Sequence, residues 1–412
     1  MTKFNFSTEM IAIAKKVASL GGIMYLVGGA VRDAFMGRPV HDHDFVVEGV
    51  EASVFEEAFN NPPKTGNLFP VYRIMVCEEE CEFALARKEI KTGEGHNGFT
   101  MSFDASISIE EDLARRDLTV NAIAVNVITS EIIDPFHGVK DIEAKILRAT
   151  SSHFIEDPLR VLRVARMATT FGFEVAKETL HLMKACHDEL PTLPSERIWK
   201  EMEKALGANK PSKFYRVLQA SNTLDVVFPE VFALIGQEQP AKFHPEGDAF
   251  EHSMMVLDEV SAKTNDIVAR FCALCHDLGK GLTPVEMLPR HYHHDKEGEN
   301  LIQKWENGRF PARLKKAATV VAGQHMKAHH LSEMKPAKVF DLLKEVRPEL
   351  EAFRAVVEAD SHRNFKILSD ASVKEVFGKV EIPEDLLGAG DGERIRDYVR
   401  QVRIQRVREL RG

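Results

Sequence analysis

The chain has 412 residues, 44% of them hydrophobic and 28% charged, with a formal net charge of −9. That length points to two to four domains rather than one, and the acidic balance excludes a protein that grips nucleic acid through a wholesale basic surface. No apolar run approaches the ~18 residues that cross a bilayer, and five cysteines without framework spacing fit a reduced, cytoplasmic setting.

The opening MTKFNFSTEMIAIAKKVASLGG has the pattern of a short amphipathic helix ending at Gly21-Gly22. Glu9, Lys15 and Lys16 interrupt it, which argues against a signal peptide. IMYLVGG, DFVVEG, VYRIMV, EFALA, AIAVNVIT and IIDPF then read as short strands, with VRDAFMG and SIEEDLARR as helices between them. Ser108-x-x-Glu111 is a capping box at the start of the second helix. Residues 1–145 are therefore expected to form an α/β head around a mixed or antiparallel sheet.

After about residue 150 strand signals nearly vanish. EDPLRVLRVARMATTFG, KETLHLMKACHDEL, SERIWKEMEKALG and PSKFYRVLQASN carry helical periodicity, giving a helical neck and body over 146–230. The polar LIGQEQPAKFHPEGDAFEH is a connection to a histidine-rich helical region over 231–365. Gly279 is expected to end the apolar helix IVARFCALCHDLG as a C-cap. Cys272-x-x-Cys275 inside that run reads as small core residues, since no second cysteine pair lies near. The tail, 366–412, ends in ERIRDYVRQVRIQRVRELRG, with seven arginines against three acids. It reads either as a solvated terminal helix or as a contact for an RNA backbone.

Two features of LVGGAVRDAFMGRPVHDHDFVV carry chemistry. Gly28-Gly29 between a strand and a helix lets backbone amides approach an anion at a helix start, and Arg32 stands in the first turn within reach of a phosphate. Asp42 and Asp44, two apart at the head of a strand-like run, would face one side and could hold Mg²⁺ with substrate phosphates. His41 and His43 would face the other side. A tight turn plus surface acids is the plainer alternative.

GG-x-VRD…D-x-D resembles the opening motif of the class II polynucleotide nucleotidyltransferases, which comprise CCA-adding enzymes and bacterial poly(A) polymerases. The resemblance continues in order through EEDLARRDLTVNAIA, IIDPFHGVKDI, EDPLRVLRVAR and ERIWKE. It implies an α/β nucleotidyltransferase head, a mixed sheet with helices, followed by an all-α neck and body. It makes Asp42 and Asp44 the ligands of catalytic magnesium, with Glu82 a third acid by analogy. It also assigns Asp112, Arg116 and Asn121 to the ribose and triphosphate of the incoming nucleotide; on spacing alone, Asp112, Arg115 and Arg116 form an ordinary ion-pair cluster.

Cytosine and adenine both present an amino donor beside a ring-nitrogen acceptor, whereas guanine and uracil present a carbonyl beside an N–H. One carboxylate and one guanidinium can therefore accept CTP and ATP and reject GTP and UTP. The resemblance gives that role to Asp157 and Arg160, with Arg163 and Arg166 continuing the helical row toward phosphates and Arg197 and Glu201 bracing it.

His-Asp occurs five times, and only His276-Asp277 has fitting surroundings, with His252, His294, His325 and Asp360 elsewhere in the chain. This set is similar to the HD phosphohydrolase superfamily, whose metal ligands map onto His252, His276, Asp277 and Asp360. Imidazoles with carboxylates suit a divalent transition metal such as Ni²⁺ or Mn²⁺. A nucleotidyltransferase head before an all-α HD domain resembles the CCA-adding enzymes of the Escherichia coli type. The expected partners are tRNA, CTP and ATP, with no membrane and with a homodimer through the HD domain. The N-terminal helix and His43 depart from the family pattern. Rival readings are a poly(A) polymerase, an enzyme adding only CC or A, a protein-nucleotidylating signalling transferase with an HD domain, and a non-catalytic tRNA-binding scaffold. The segment RKEIKTGEGHNGFTMSFDAS is long enough for the loop that the family moves between C and A.

Overall fold

A computed structural model of the chain describes residues 4–40, 42–65, 70–91, 99–102, 105–242, 244–306, 309–384, 386 and 392–411. His41 and the middle of the loop segment, 92–98 and 103–104, fall outside them. The chain divides into two compact units: Met1–Glu201 with Arg216–Val227, and Met202–Tyr215 with Phe228–Gly412.

In the first unit, α1 (Thr8–Ser19) is N-capped by Ser7, whose Oγ accepts the Met10 N–H at 3.1 Å. It buries Met10, Ala14 and Val17. There follow β1 (Ile23–Val27), α2 (Gly29–Phe35), β2 (Asp44–Glu48), α3 (Ala52–Ala58), β3 (Lys64–Thr65), β4 (Val71–Val76) and β5 (Glu79–Leu85). A separate hairpin of β6 (Lys88–Lys91) and β7 (Phe99–Ser102) leads to α4 (Ile109–Ala114), β8 (Ala124–Asn126) and β9 (Ile132–Ile133). Seven strands form one sheet in the order β3-β4-β5-β2-β1-β8-β9. Its pairings are antiparallel except β2 with β5, which run parallel because the chain crosses over through α3 and β3–β4 between them. The sheet is thus mixed, as the strand pattern allowed.

Both faces of the central strands are covered. Phe45 stacks on Phe83, with ring centroids 4.9 Å apart, and Phe55 packs against Phe83 and Tyr72. Tyr25, Val27 and Val46 pack with Ile109, Leu113 and Ala122. The alternation of Phe45 and Val46 along β2 divides the two cores, as strand geometry requires. The Ser108–Glu111 capping box is present at the start of α4.

Beyond the sheet come α5 (Gly138–Ala144), the short parallel pair β10 (Ile146–Leu147) and β11 (Glu174–Val175), and between them α6 (Leu159–Phe171). Then follow α7 (Lys177–Ala185), α8 (Ser195–Leu206), α9 (Ser212–Ala220) and α10 (Leu224–Val227). The second unit is helical: α11 (Pro229–Phe232), α12 (Ala249–Lys263), α13 (Ile267–Cys275), α14 (His294–Gln303), α15 (Ala312–His329), α16 (Pro336–Val346), α17 (Leu350–Ser361), α18 (Asp370–Phe377) and α19 (Gly392–Arg411). Cys272 and Cys275 are buried core residues of α13, and burial pushes both thiols well above their usual range. No helix among the described residues is long and apolar enough to cross a membrane.

One expectation needs correction. Gly279 is not the C-cap of α13; that helix ends at Cys275 with His276 as its cap. A Cβ on Gly279 would meet the His294 carbonyl oxygen at 1.9 Å and the Gly298 nitrogen at 2.5 Å, so the glycine lets this turn lie directly on the start of α14. Gly279→Ala is expected to cost about 1–3 kcal/mol through overpacking, read as a lower midpoint in thermal or urea unfolding of the full chain. The arginine-rich tail is a largely exposed helix, and several of its arginines hold it to neighbouring elements. Arg406 donates to the carbonyls of Glu375, Gly378 and Lys379 at and beyond the end of α18, Arg411 donates to those of Met334 and Ser332, and Arg400 pairs with Asp341. Arg403 lies over the Phe377 ring at 5.4 Å. These arginines dock α19 by satisfying carbonyls that a helix end leaves open.

Candidate active sites

The first unit has a cleft of 430 Å³ at the end of the sheet where β1 stops and β2 and β5 begin. Six arginines and four carboxylates line it, a mixture suited to a polyanion accompanied by cations. Gly28 turns the chain from β1 into α2 with φ of 69°. A Cβ there would stand 3.1 Å from Arg116 Nη1 and 4.0 Å from Asp44 Oδ2, so the glycine keeps open the gap between a guanidinium and a carboxylate.

Asp44 is the first residue of β2 and pairs in register with Glu82 of β5, and both line the cleft. Burial and then the neighbouring Glu82 hold the Asp44 carboxyl above its ordinary range, with Arg116 opposing them. Two carboxylates held side by side on adjacent strands fit a hard divalent cation with oxygen ligands. Asp42 precedes β2 as an exposed residue just outside the cleft lining, close enough for its charge to add to the raised pKa of Asp44. His43 turns from the cleft, its ring stacked 6.3 Å from Phe45 and its Nδ1 3.6 Å from Glu79.

Behind the acids the cationic side chains are held in place. Arg32 donates to Asn121 Oδ1 (2.6 Å) and pairs with Asp33, its guanidinium 4.6 Å from the Phe171 ring centre. Asn121 in turn donates to Asp117. Asp112 is fully buried and receives both Arg115 (2.6 Å) and Arg116 (3.1 Å). Burial alone would raise Asp117, but Arg163 and Asn121 carry it well below the usual carboxylate range. Arg163 is committed to Asp117, with Nε at 2.8 Å. Arg166 is bound to Glu201 and is absent from the cleft lining.

Asp157 and Arg160 both line the cleft, but not as two residues on one helical face. Asp157 is extended, ahead of Pro158 and α6, and its Oδ1 accepts the Leu159 N–H at 3.0 Å. Arg160 donates to the carbonyls of His153 (2.6 Å) and Arg115 (2.8 Å), which fixes its plane.

The second unit holds a larger cavity of 1090 Å³ with a dense polar floor. His252 comes from α12, His276 and Asp277 from the end of α13, His294 from the first turn of α14, His325 and His329 from α15, and Asp360 from α17. The Nδ1 atoms of His276, His294 and His325 lie 2.7, 2.7 and 2.8 Å from backbone carbonyls. Each must therefore be the N–H that donates, which leaves the Nε2 lone pairs aimed at Asp277, at 3.3, 3.3 and 3.4 Å. His276 Nε2 and both Asp277 oxygens are buried without a hydrogen bond. Lys280 Nζ stands 2.5 Å from Asp277 Oδ2 as an ion partner and donates to Gln239. Burial works to raise the Asp277 carboxyl, yet Lys280 and His276 hold it well below its usual range. Lone pairs converging on an ionised carboxylate form a donor set for a divalent cation, with the Nδ1 bonds as its orienting outer shell.

A family model for the poly A polymerase head domain matches residues 24–148, one for the probable RNA and SrmB-binding site of polymerase A matches 172–235, and one for the HD domain matches 249–364. Among curated proteins, the multifunctional CCA protein of Laribacter hongkongensis is 39% identical over 385 residues, covering 92% of this chain and 93% of its own. The chain belongs to the multifunctional CCA proteins. The namesake from Methylobacillus flagellatus is 44% identical over 326 residues, covering 78% of each chain. The fold is also that of a CCA-adding enzyme in an apo form (TM-score 0.66, 20% identity, covering 98% of this chain and 91% of the other). The Thermotoga maritima CCA-adding enzyme complexed with tRNA shares it too (TM-score 0.65, 19% identity, covering 97% and 93%).

In this multifunctional CCA protein, Asn121 was expected at the nucleotide but also bridges Arg32 and Asp117, and no periodicity marks Asp117 as the hub that orders Arg163. Two supporting residues of the second unit went unread. Glu246 accepts from His252 Nδ1 at 2.7 Å, and His329 reaches Asp360 at 2.8 Å. Both are separated from their partners by loops or whole helices. Only the density of histidine in the second half hinted at them.

Proposed function

We propose that this chain adds C, C and A to the 3′ end of tRNA from CTP and ATP at the head cleft, and hydrolyses phosphate esters at the HD cavity. The observation that carries the first activity is the Asp44–Glu82 pair facing arginines across a glycine-held gap. Asp44, Glu82 and the adjacent Asp42 would hold magnesium, which supplies positive charge at the transferring phosphoryl group. The RNA 3′-hydroxyl attacks the α-phosphorus of the nucleotide and pyrophosphate leaves. Arg116 and Arg32, with the Gly28-Gly29 turn, bind the triphosphate. Arg163 lines the same wall and holds Asp117, so it acts on phosphate only together with that partner, while Arg166 serves as a brace through Glu201. Asp112 fixes Arg115 and Arg116 and carries no substrate contact of its own.

Asp157 and Arg160 read the base. Their anchoring to backbone groups makes them a rigid template that discriminates by mismatch of donors and acceptors. Asp157→Ala is expected to lower the preference for CTP over UTP at least ~30-fold in kcat/KM, at about 2 kcal/mol. Single-nucleotide extension of tRNA ending before its CCA measures it. An unchanged CTP/UTP ratio would remove the base-reading role.

In the HD cavity, His252, His276, Asp277 and Asp360 would hold a divalent transition metal, Ni²⁺ or Mn²⁺, with His294 and His325 on the other side of the Asp277 carboxylate. The substrates this chemistry fits are 2′,3′-cyclic phosphates and 2′-phosphates of nucleotides or damaged RNA ends. A homodimer through the HD unit and a cytoplasmic location follow from the family resemblance; light scattering on the purified chain tests the former.

A further inference from the structure

The N-terminal segment precedes residue 24, where the match to the head-domain model begins, and no part of the transfer reaction accounts for it. It runs alongside the catalytic end of the sheet. Strands β4 and β5 are joined by two residues, Cys77 and Glu78, because Val76 pairs with Glu79. Both have positive φ, 53° and 66°. Such a two-residue turn favours Asn-Gly, whose backbones enter the left-handed region readily, whereas Cys and Glu do so with strain. On the β2 side the tip has no strand beside it among the described residues, although His43 Nδ1 approaches Glu79 at 3.6 Å. Pairing of β5 with β2 begins at Glu82, so Glu79, Glu80 and Cys81 run past the start of β2 and pair only with β4.

The support comes from the N-terminal segment. The Cys77 backbone N–H donates to Glu9 Oε2 at 2.6 Å, and the Cys77 thiol donates to Ser7 Oγ at 3.1 Å. On its other side, the same segment sets Phe4 edge-on to Phe35, with ring centroids 5.6 Å apart, at the last residue of α2, the helix that carries Arg32. Two elements of the cleft are thus tied to one short piece of chain.

We propose that the N-terminal segment is a strap that braces the strained Cys77–Glu78 turn, so that Glu9 acts as a positioning residue for Glu82 and its neighbour Asp44. The catalytic part of this inference rests on the nucleotidyl-transfer reading; the structural part does not. Glu9 touches no substrate group and acts only through the hairpin.

The test uses the full-length chain. In Glu9→Ala, backbone amides of residues 77–82 should exchange with deuterium several-fold faster, with no change in α6. The kcat for CTP addition should fall about fivefold while KM for CTP stays within twofold. Glu9→Gln, which keeps an acceptor oxygen, should behave as the parent. Adding Cys77→Asn with Glu78→Gly to Glu9→Ala should restore both exchange and kcat, because the relaxed turn no longer needs the strap. Unchanged exchange in Glu9→Ala would overturn the proposal, and so would faster exchange with undiminished kcat or a loss that the Asn-Gly turn does not restore. If the parent chain adds no CTP, the transfer reading fails and takes the catalytic part with it; the exchange measurements still decide the strap.

Discussion

Asp44→Asn is expected to lower CTP incorporation into tRNA by at least ~10³-fold, about 4 kcal/mol of barrier, while the protein stays folded. The exchange removes one charge and keeps the shape, so strand β2 and its pairing with β1 and β5 persist. Stability should even rise slightly at neutral pH without divalent ions. Burial and Glu82 raise the Asp44 pKa in the folded chain. For a raised carboxyl, the stability it contributes is present below the unfolded value of about 3.9 and is lost as pH rises through the folded value. At pH 7 the ionised Asp44 therefore opposes folding, and Asn does not. A variant that loses activity and keeps or gains thermal stability locates Asp44 in the reaction; a variant that still extends tRNA at the parent rate would remove the acid pair from the account.

The second large effect belongs to the other unit. His276→Ala is expected to reduce metal-dependent hydrolysis of 2′,3′-cyclic nucleotides by ~10²-fold or more and to leave CCA addition within about threefold. His276 is fully buried, its Nδ1–H is spent on the Ala273 carbonyl, and its Nε2 has no partner other than the Asp277 carboxylate. Removing it takes one donor from the set without touching the head. Titration calorimetry with Mn²⁺ or Ni²⁺ alone should show weaker binding, which separates a lost ligand from a lost fold. Loss of both activities together would mean that the substitution unfolds more than its own site.

Much of this was legible in the residues. The strands of the head and the helices that follow them are marked by period and by turn residues, and the capping box at Ser108 stands where its spacing places it. The glycine pair was readable because only a tight strand-to-helix turn explains it. What escaped was set by three-dimensional proximity. The parallel register that brings Glu82 to Asp44 depends on a crossover thirty residues long, 49–78, and single-strand patterns do not encode it. Pro158 caps α6 between Asp157 and Arg160 and leaves Asp157 extended, a placement that the helical row of Arg160, Arg163 and Arg166 does not reveal. Composition also left the tail's role open: Arg400, Arg406 and Arg411 are bound to carbonyls and an acid of neighbouring elements, a use of charge that a sequence cannot distinguish from a surface for RNA.

The central claim is that one cleft without a nucleic-acid template selects two nucleotides and joins them to RNA. The measurement that tests it most directly supplies purified chain and Mg²⁺ to tRNA lacking its CCA, with each nucleotide alone and CTP with ATP together. Two additions from CTP alone, three from CTP with ATP, and none from GTP or UTP are the expected products. No incorporation of CTP, or GTP and UTP added as readily, would contradict it.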